Sequence, residues 1–188
     1  WTGAVSSDWS DAGNWTAGVP GSWTLTEIQP SANTPLLNGS FSVGTDGSLS
    51  IVPGAGLTLN GDLVNDGQLT LGSTLATSGS LIVTGNSTGN ITYNRQLKPG
   101  SDATSDWHLA APPVATNSDA NTGKVNAVFE WSETSGLWNA TAITSALPGH
   151  GYNIRQEDGS DGVISFTGPI VNSDLTVAAS SPYADAIA

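Results

Sequence analysis

"FSVGTDGSLSIVPGAGLTLNGDLVNDGQLTLGSTLATSGSLIVTGNSTGNITY", residues 41–93, is built on a recurring apolar triplet. The triplets are "FSV" at 41, "LSI" at 49, "LTL" at 57, "LTL" at 69, "LIV" at 81 and "ITY" at 91, spaced by 8, 8, 12, 12 and 10 residues. Most alternate apolar, polar, apolar, the period-2 signature of a strand. Between them lie "GTDGS", "PGAG", "NDGQ", "TSGS" and "TGNSTGN", all turn chemistry. "DLV" at 62 adds a weaker strand.

A meander and a β-solenoid both fit this pattern. Strands this short bury little as isolated hairpins, and equivalent positions carry equivalent residues, so the solenoid is favoured. Each short strand is then expected to stack on the next in a parallel ladder, about 4.8 Å apart. Leu49, Ile51, Leu57, Leu59, Leu69, Leu71, Leu81 and Val83 are the expected aliphatic columns.

Upstream, "WTGAVSSDWSDAGNWTAGVP" (1–20) and Trp23 hold four of the seven tryptophans. The terminal rungs of a solenoid expose apolar core and need a cap. Trp1, Trp9, Trp15 and Trp23 are therefore expected to form a lid. The alternative is a sugar-binding platform using Trp9, Trp15 and Trp23, with Asp8, Asp11 and Asn14 as polar partners.

Downstream, the strands lengthen: "ITYNRQL", "DWHLAAPPV", "NAVFEWSET", "GLWNATAI", "GYNIRQED", "GVISFTGPI" and "DLTVAAS". "FEWSETSGLWNAT" reads as a hairpin with Trp131 and Trp138 flanking a glycine-containing turn. This half reads as an antiparallel β-sandwich. The expected architecture is all-β: residues 1–95 a Trp-rich cap plus a short β-solenoid, residues 96–188 a sandwich-like domain, with the boundary near 92–100.

Charge narrows the partners. The 188 residues carry a net charge of −12, with only Arg95, Lys98, Lys124 and Arg155 as bases. A phosphate-binding face needs clustered bases, so nucleic acid and anionic membrane surfaces are disfavoured. No apolar run approaches the roughly 18 residues of a membrane-spanning helix. The chain has no cysteine, which excludes disulfides and thiolate chemistry. It has no methionine, even at position 1, as expected of a mature or excised segment.

An acidic surface can attract calcium. "NSDANTG" sets Asn117, Asp119 and Asn121 at i, i+2 and i+4, like the first ligands of a calcium loop. Thr122 stands where such loops need glycine, and no acid occupies the twelfth position. "QEDGSDG" offers Glu157, Asp158 and Asp161. Turn carboxylates and amides commonly bond only their own backbone, so the expected cofactor is none, with calcium as the alternative. Catalytic motifs are lacking: His108 lies in a strand pattern and His150 in a turn, and Glu130 and Glu133 are three apart on a strand pattern, hence on opposite faces. Lys98 and Lys124 are the candidates for an isopeptide bond to Asn or Asp.

"WTGAVSSDWSDAGNW" with "GVP", "SLIVTGNSTGNITYNRQL", "DWHLAAPPV", "LPGHGYNIRQ" and "ISFTGPIVNSDLTV" together resemble repeat modules of very large secreted proteins of Bacteroidetes, exported by the type IX system. The resemblance implies an extracellular, adhesin-like, non-enzymatic surface module and supplies no catalytic motif. Its partners would be neighbouring copies, adjacent modules of the same protein, or surface glycans. The sequence departs from the family pattern at its end, where "SSPYADAIA" follows "VAA" directly. That tail, and the apolar start "WTGAV", make head-to-tail self-association into a filament one expectation, and a bead in a longer polypeptide the other.

Overall fold

The apolar triplets form strands because alternate residues can be buried on one side while glycine and asparagine turn the chain between them. A computed structural model describes residues 1–98, 106–115 and 121–177. The first coil comprises β1 (Leu25–Ile28), β2 (Leu36–Leu37) and β3 (Phe41–Val43). The second comprises β4 (Ser48–Ile51), β5 (Gly56–Leu59) and β6 (Leu63–Asn65), and the third β7 (Gln68–Leu71), β8 (Ser80–Val83) and β9 (Ser87–Thr88). These nine strands wind as a three-sided parallel solenoid of three turns.

Stacking differs from the simple ladder expected of successive triplets. Every third strand stacks, because the chain turns three corners before it returns to the same face. β1 pairs with β4 and β4 with β7, β2 with β5 and β5 with β8, β3 with β6 and β6 with β9, all parallel. Leu49 therefore lies on Leu69, Ile51 on Leu71, and Leu57 on Leu81. The columns are buried as expected at Leu49, Ile51, Leu57, Leu59, Leu69 and Leu71, whereas Leu81 and Val83 in the last coil are only half-buried.

The corners explain the repeating glycines. Gly39, Gly61 and Gly85 stack at one corner, where a Cβ on Gly61 would fall on the Gly39 carbonyl and one on Gly85 would lie 2.6 Å from the backbone of Gly61. Coils separated by one strand spacing leave no room for a side chain there. These residues serve close approach as well as turning.

β10 (Ile91–Gln96) begins a fourth coil and pairs in parallel with β7. Its other edge is taken by β15 (Val163–Gly168), antiparallel along the whole strand. The 95/96 boundary therefore lies inside β10, and residues from both halves share one five-stranded sheet, β1-β4-β7-β10-β15. The remaining C-terminal strands are β11 (Trp107–Ala110), β12 (Val125–Ser132), β13 (Leu137–Ala140) and β14 (Tyr152–Gln156). They form an antiparallel sheet in the order β11-β14-β12-β13. Its inner residues Val128, Tyr152 and Ile154 join the same apolar cluster as Ile164 and Phe166 of β15. The expected hairpin is present: Trp131 opposes Trp138, and Gly136, at φ 64°, supplies the left-handed turn residue.

Candidate functional site

The N-terminal segment closes the first coil with backbone and rings together. Its backbone docks on β2: Leu36 N donates to Ser7 O at 2.7 Å and Trp9 N to Leu36 O at 3.1 Å. Trp1 N donates to Glu27 O of β1 at 2.8 Å. A file of edge-to-face rings then covers the core, Trp1–Trp15 at 5.0 Å, Trp15–Trp9 at 4.6 Å and Trp9–Phe41 at 5.2 Å between centroids. Such pairs exploit the opposite charges of ring face and ring edge. Each indole donor that meets a partner does so within the fold: Trp15 Nε1 to Trp9 O at 2.8 Å, and Trp1 Nε1 to Asn33 O at 2.9 Å and Ser31 Oγ at 3.0 Å.

Asn14 holds this segment in shape. It is fully buried, and its Oδ1 accepts from the amides of Val5 (2.9 Å) and Ser6 (3.0 Å). Its Nδ2 donates to Asp8 O at 2.9 Å. The side chain does the work of a strand neighbour for a segment too irregular to have one. Asp8 and Asp11 bond to the local backbone, Oδ1 of Asp8 accepting from Ser10 N and Oδ1 of Asp11 from Gly13 N. The Ser10 hydroxyl and amide hold the Asp8 carboxyl below the usual range.

The expected platform residues do not share a surface. Trp9 is 2% exposed and Trp15 half-buried beside it. Trp23 lies outside the ring file, 67% exposed, with its indole over Gly44 at a solenoid corner. A cleft of about 410 Å³ runs between the lid and β1, lined by Trp1, Trp15, Thr16, Thr24, Leu25 and Glu27 among others. A second aromatic surface sits on the antiparallel sheet. Trp131 and Trp138 are 42% and 44% exposed with rings 5.5 Å apart, Phe129 and Leu109 share their face, and Trp107 lies 5.5 Å from Phe129. Sequence reasoning placed Trp131 and Trp138 in a hairpin but assigned them no surface, because strand alternation does not say which face is covered.

The acidic candidates are each engaged separately. Asn117 and Asp119 lie outside the described residues. Asn121 is buried and zips the free edge of β15: its Oδ1 accepts from Ser165 N and its Nδ2 donates to Ser165 O, both at 2.8 Å. Glu157 accepts from Asn126 Nδ2 at 3.1 Å. Asp158 pairs with Arg155 at 2.7 Å. Asp161 pairs with Lys124 at 3.1 Å and accepts from Val163 N at 2.9 Å. The Val163 amide, helped by Lys124, holds the Asp161 carboxyl below its ordinary value. Among the described residues, no three His, Asp or Glu side chains gather as a metal site.

His150 Nδ1 lies 3.1 Å from Glu130 Oε1, His108 Nε2 lies 3.2 Å from Lys98 O, and Glu133 stands apart in the hairpin turn. Both lysines proposed for isopeptide chemistry form ion pairs, Lys98 with buried Asp106 at 3.3 Å and Lys124 with Asp161. No helix among the described residues is long and apolar enough to cross a membrane.

Fold and surface together define an all-β protein, a lid-capped β-solenoid merged with an antiparallel sheet. Residues 1–186 match the model of the family described as Domain of unknown function (DUF8693), and the chain belongs to that family. No curated protein and no solved structure matches it.

Proposed function

We propose that the chain is a non-enzymatic structural module of an extracellular surface protein. The observation that carries this is the lid. Trp9, Trp15 and Asn14, among the most chemically distinctive residues of the chain, are spent on sealing a solenoid end. A stack of coils capped at its first rung suits a spacer, and its acidic surface, rich in uncharged polar residues, suits an aqueous exterior. The sequence resemblance to secreted repeat modules points the same way. Antibodies against the module, applied to intact cells of the organism that makes it, should label the surface, and external protease should remove the signal. Labelling only after lysis would overturn the reading.

A second reading, carbohydrate binding, is favoured by the exposed Trp131–Trp138 pair. Indole faces stack on the apolar faces of sugar rings, and a chain of net charge −12 would favour neutral glycans over acidic ones. Pull-down on insoluble neutral polysaccharides tests it: binding that is lost in Trp138→Ala while the melting temperature holds supports a glycan-binding module.

A further inference from the structure

The two ends of the solenoid are finished differently. The lid covers the first coil. At the other end, among the described residues, only one sheet continues, from β7 into β10 and β15, while β8 and β9 are the last strands of theirs. The burial follows: Leu57 and Leu59 are 2% and 0% exposed, but Leu81 and Val83, stacked directly on them, are only half-buried. Ile82, on the outer face of β8, is 57% exposed. A cleft of about 270 Å³ lined by Leu71, Leu81, Ile91, Tyr93 and Ile170 opens beside this strand.

The amides of Ser80 and Thr84 donate inward to Ala55 O and Leu59 O, each at 3.0 Å. By alternation, the backbone groups of Leu81 and Val83 point out of the sheet. Open edges template other strands, and proteins usually blunt them with lysine, proline or a bulge. β8 has none of these.

Charge identifies the partner. Residues 67–94 contain no charged side chain, in a chain of net charge −12. The lid end carries Asp8, Asp11 and Glu27. Two copies repel wherever acidic surfaces meet, and least where their neutral third coils face each other. A charged partner would find nothing to pair with on this coil.

We infer that β8 is a self-docking edge, through which two copies of this chain pair antiparallel about a two-fold axis at Ile82. The inference rests on the structural-module reading and names the partner of that module. Outward groups of Leu81 meet those of Val83 in the partner, and vice versa. Ile82 then faces its own counterpart as a non-hydrogen-bonded pair, the closer kind, with Cα atoms about 4.5 Å apart. An isologous contact is closed, so assembly stops at a dimer and no filament grows. A short strand pair buries less than about 1,200 Å², so the dimer is weak and concentration-dependent.

The chain has no cysteine, so Ile82→Cys introduces a unique thiol. A separation of about 4.5 Å falls within disulfide reach. Under mild oxidation at high micromolar protein, Ile82→Cys should form covalent dimers at least about tenfold faster than Val64→Cys, because docking raises the effective thiol concentration. Val64 is likewise exposed, on β6. Sedimentation of the unmodified chain should show a monomer–dimer equilibrium. Ile82→Lys should shift it to monomer without changing the melting temperature, since Ile82 is exposed in the monomer. A wild-type monomer at high micromolar concentration, equal crosslinking of both cysteine variants, or growth beyond a dimer would each overturn the inference. None of these results touches the surface-labelling test, so the two proposals fail separately.

Discussion

Asn14 is the residue on which the lid depends most. Replacing it by alanine leaves the amides of Val5 and Ser6 and the carbonyl of Asp8 without the partner that the fully buried Asn14 side chain supplies. Unsatisfied buried groups cost about 1–3 kcal/mol. Asn14→Ala should therefore lower the urea midpoint by that equivalent, with red-shifted tryptophan emission as water reaches Trp9. Asn121 is the parallel case. Its side chain substitutes for a neighbouring strand along β15, and Asn121→Ala should cost about 1–3 kcal/mol, read by the same titration. The carboxyl of Asp161 titrates low, so its contribution to stability is present above the ordinary aspartate value of about 3.9 and is lost as pH falls through its lower folded value. The group is largely exposed, so the contribution is small: Asp161→Asn should lower the melting temperature slightly near neutrality and converge with the unmodified chain at low pH, which flattens the acid limb of the profile.

At the level of the element, the solenoid makes two demands: aliphatic residues in its columns and glycine at its corners. Leu59 is completely buried between the first and third coils, and Leu59→Ala should cost about 2–5 kcal/mol. Val83 stacks on Leu59 but is half-open, so Val83→Ala should cost distinctly less in the same denaturation assay. Gly61→Ala tests the corner. The added methyl meets the Gly39 carbonyl, so the coils must separate locally, and the variant should lose about 1–3 kcal/mol although alanine is the better residue by backbone entropy. An unchanged midpoint would show that the corner tolerates a side chain.

Across the whole molecule, β15 matters most, because it carries the C-terminal half into the solenoid sheet. Its Phe166 and Ile164 are buried in the cluster that also contains Leu71 and Ile91. The halves should therefore unfold together. Phe166→Ala should lower a single shared transition by about 3–5 kcal/mol, seen alike by far-ultraviolet circular dichroism and tryptophan emission. Two separate transitions, with only one moved, would show that the halves are energetically independent.

The sequence by itself determined the all-β class, the burial of Leu49, Ile51, Leu57, Leu59, Leu69 and Leu71, the Trp131–Trp138 hairpin and the need for an N-terminal cap. These follow from local rules, period-2 alternation and turn residues, which act within a few positions of the chain. Only the tertiary structure decided which strand lies on which. A coil closes after about three triplets, and nothing in a triplet records how many corners separate it from its neighbour. The same holds for β15, whose pairing with β10 joins Ile91 to Gly168, and for Asn121, whose amide completes β15 from 44 residues away. The exposure of Trp23 against the burial of Trp9 is likewise a tertiary outcome: both are tryptophans in turn-rich segments, but only Trp9 lies over an open apolar end that rewards its burial.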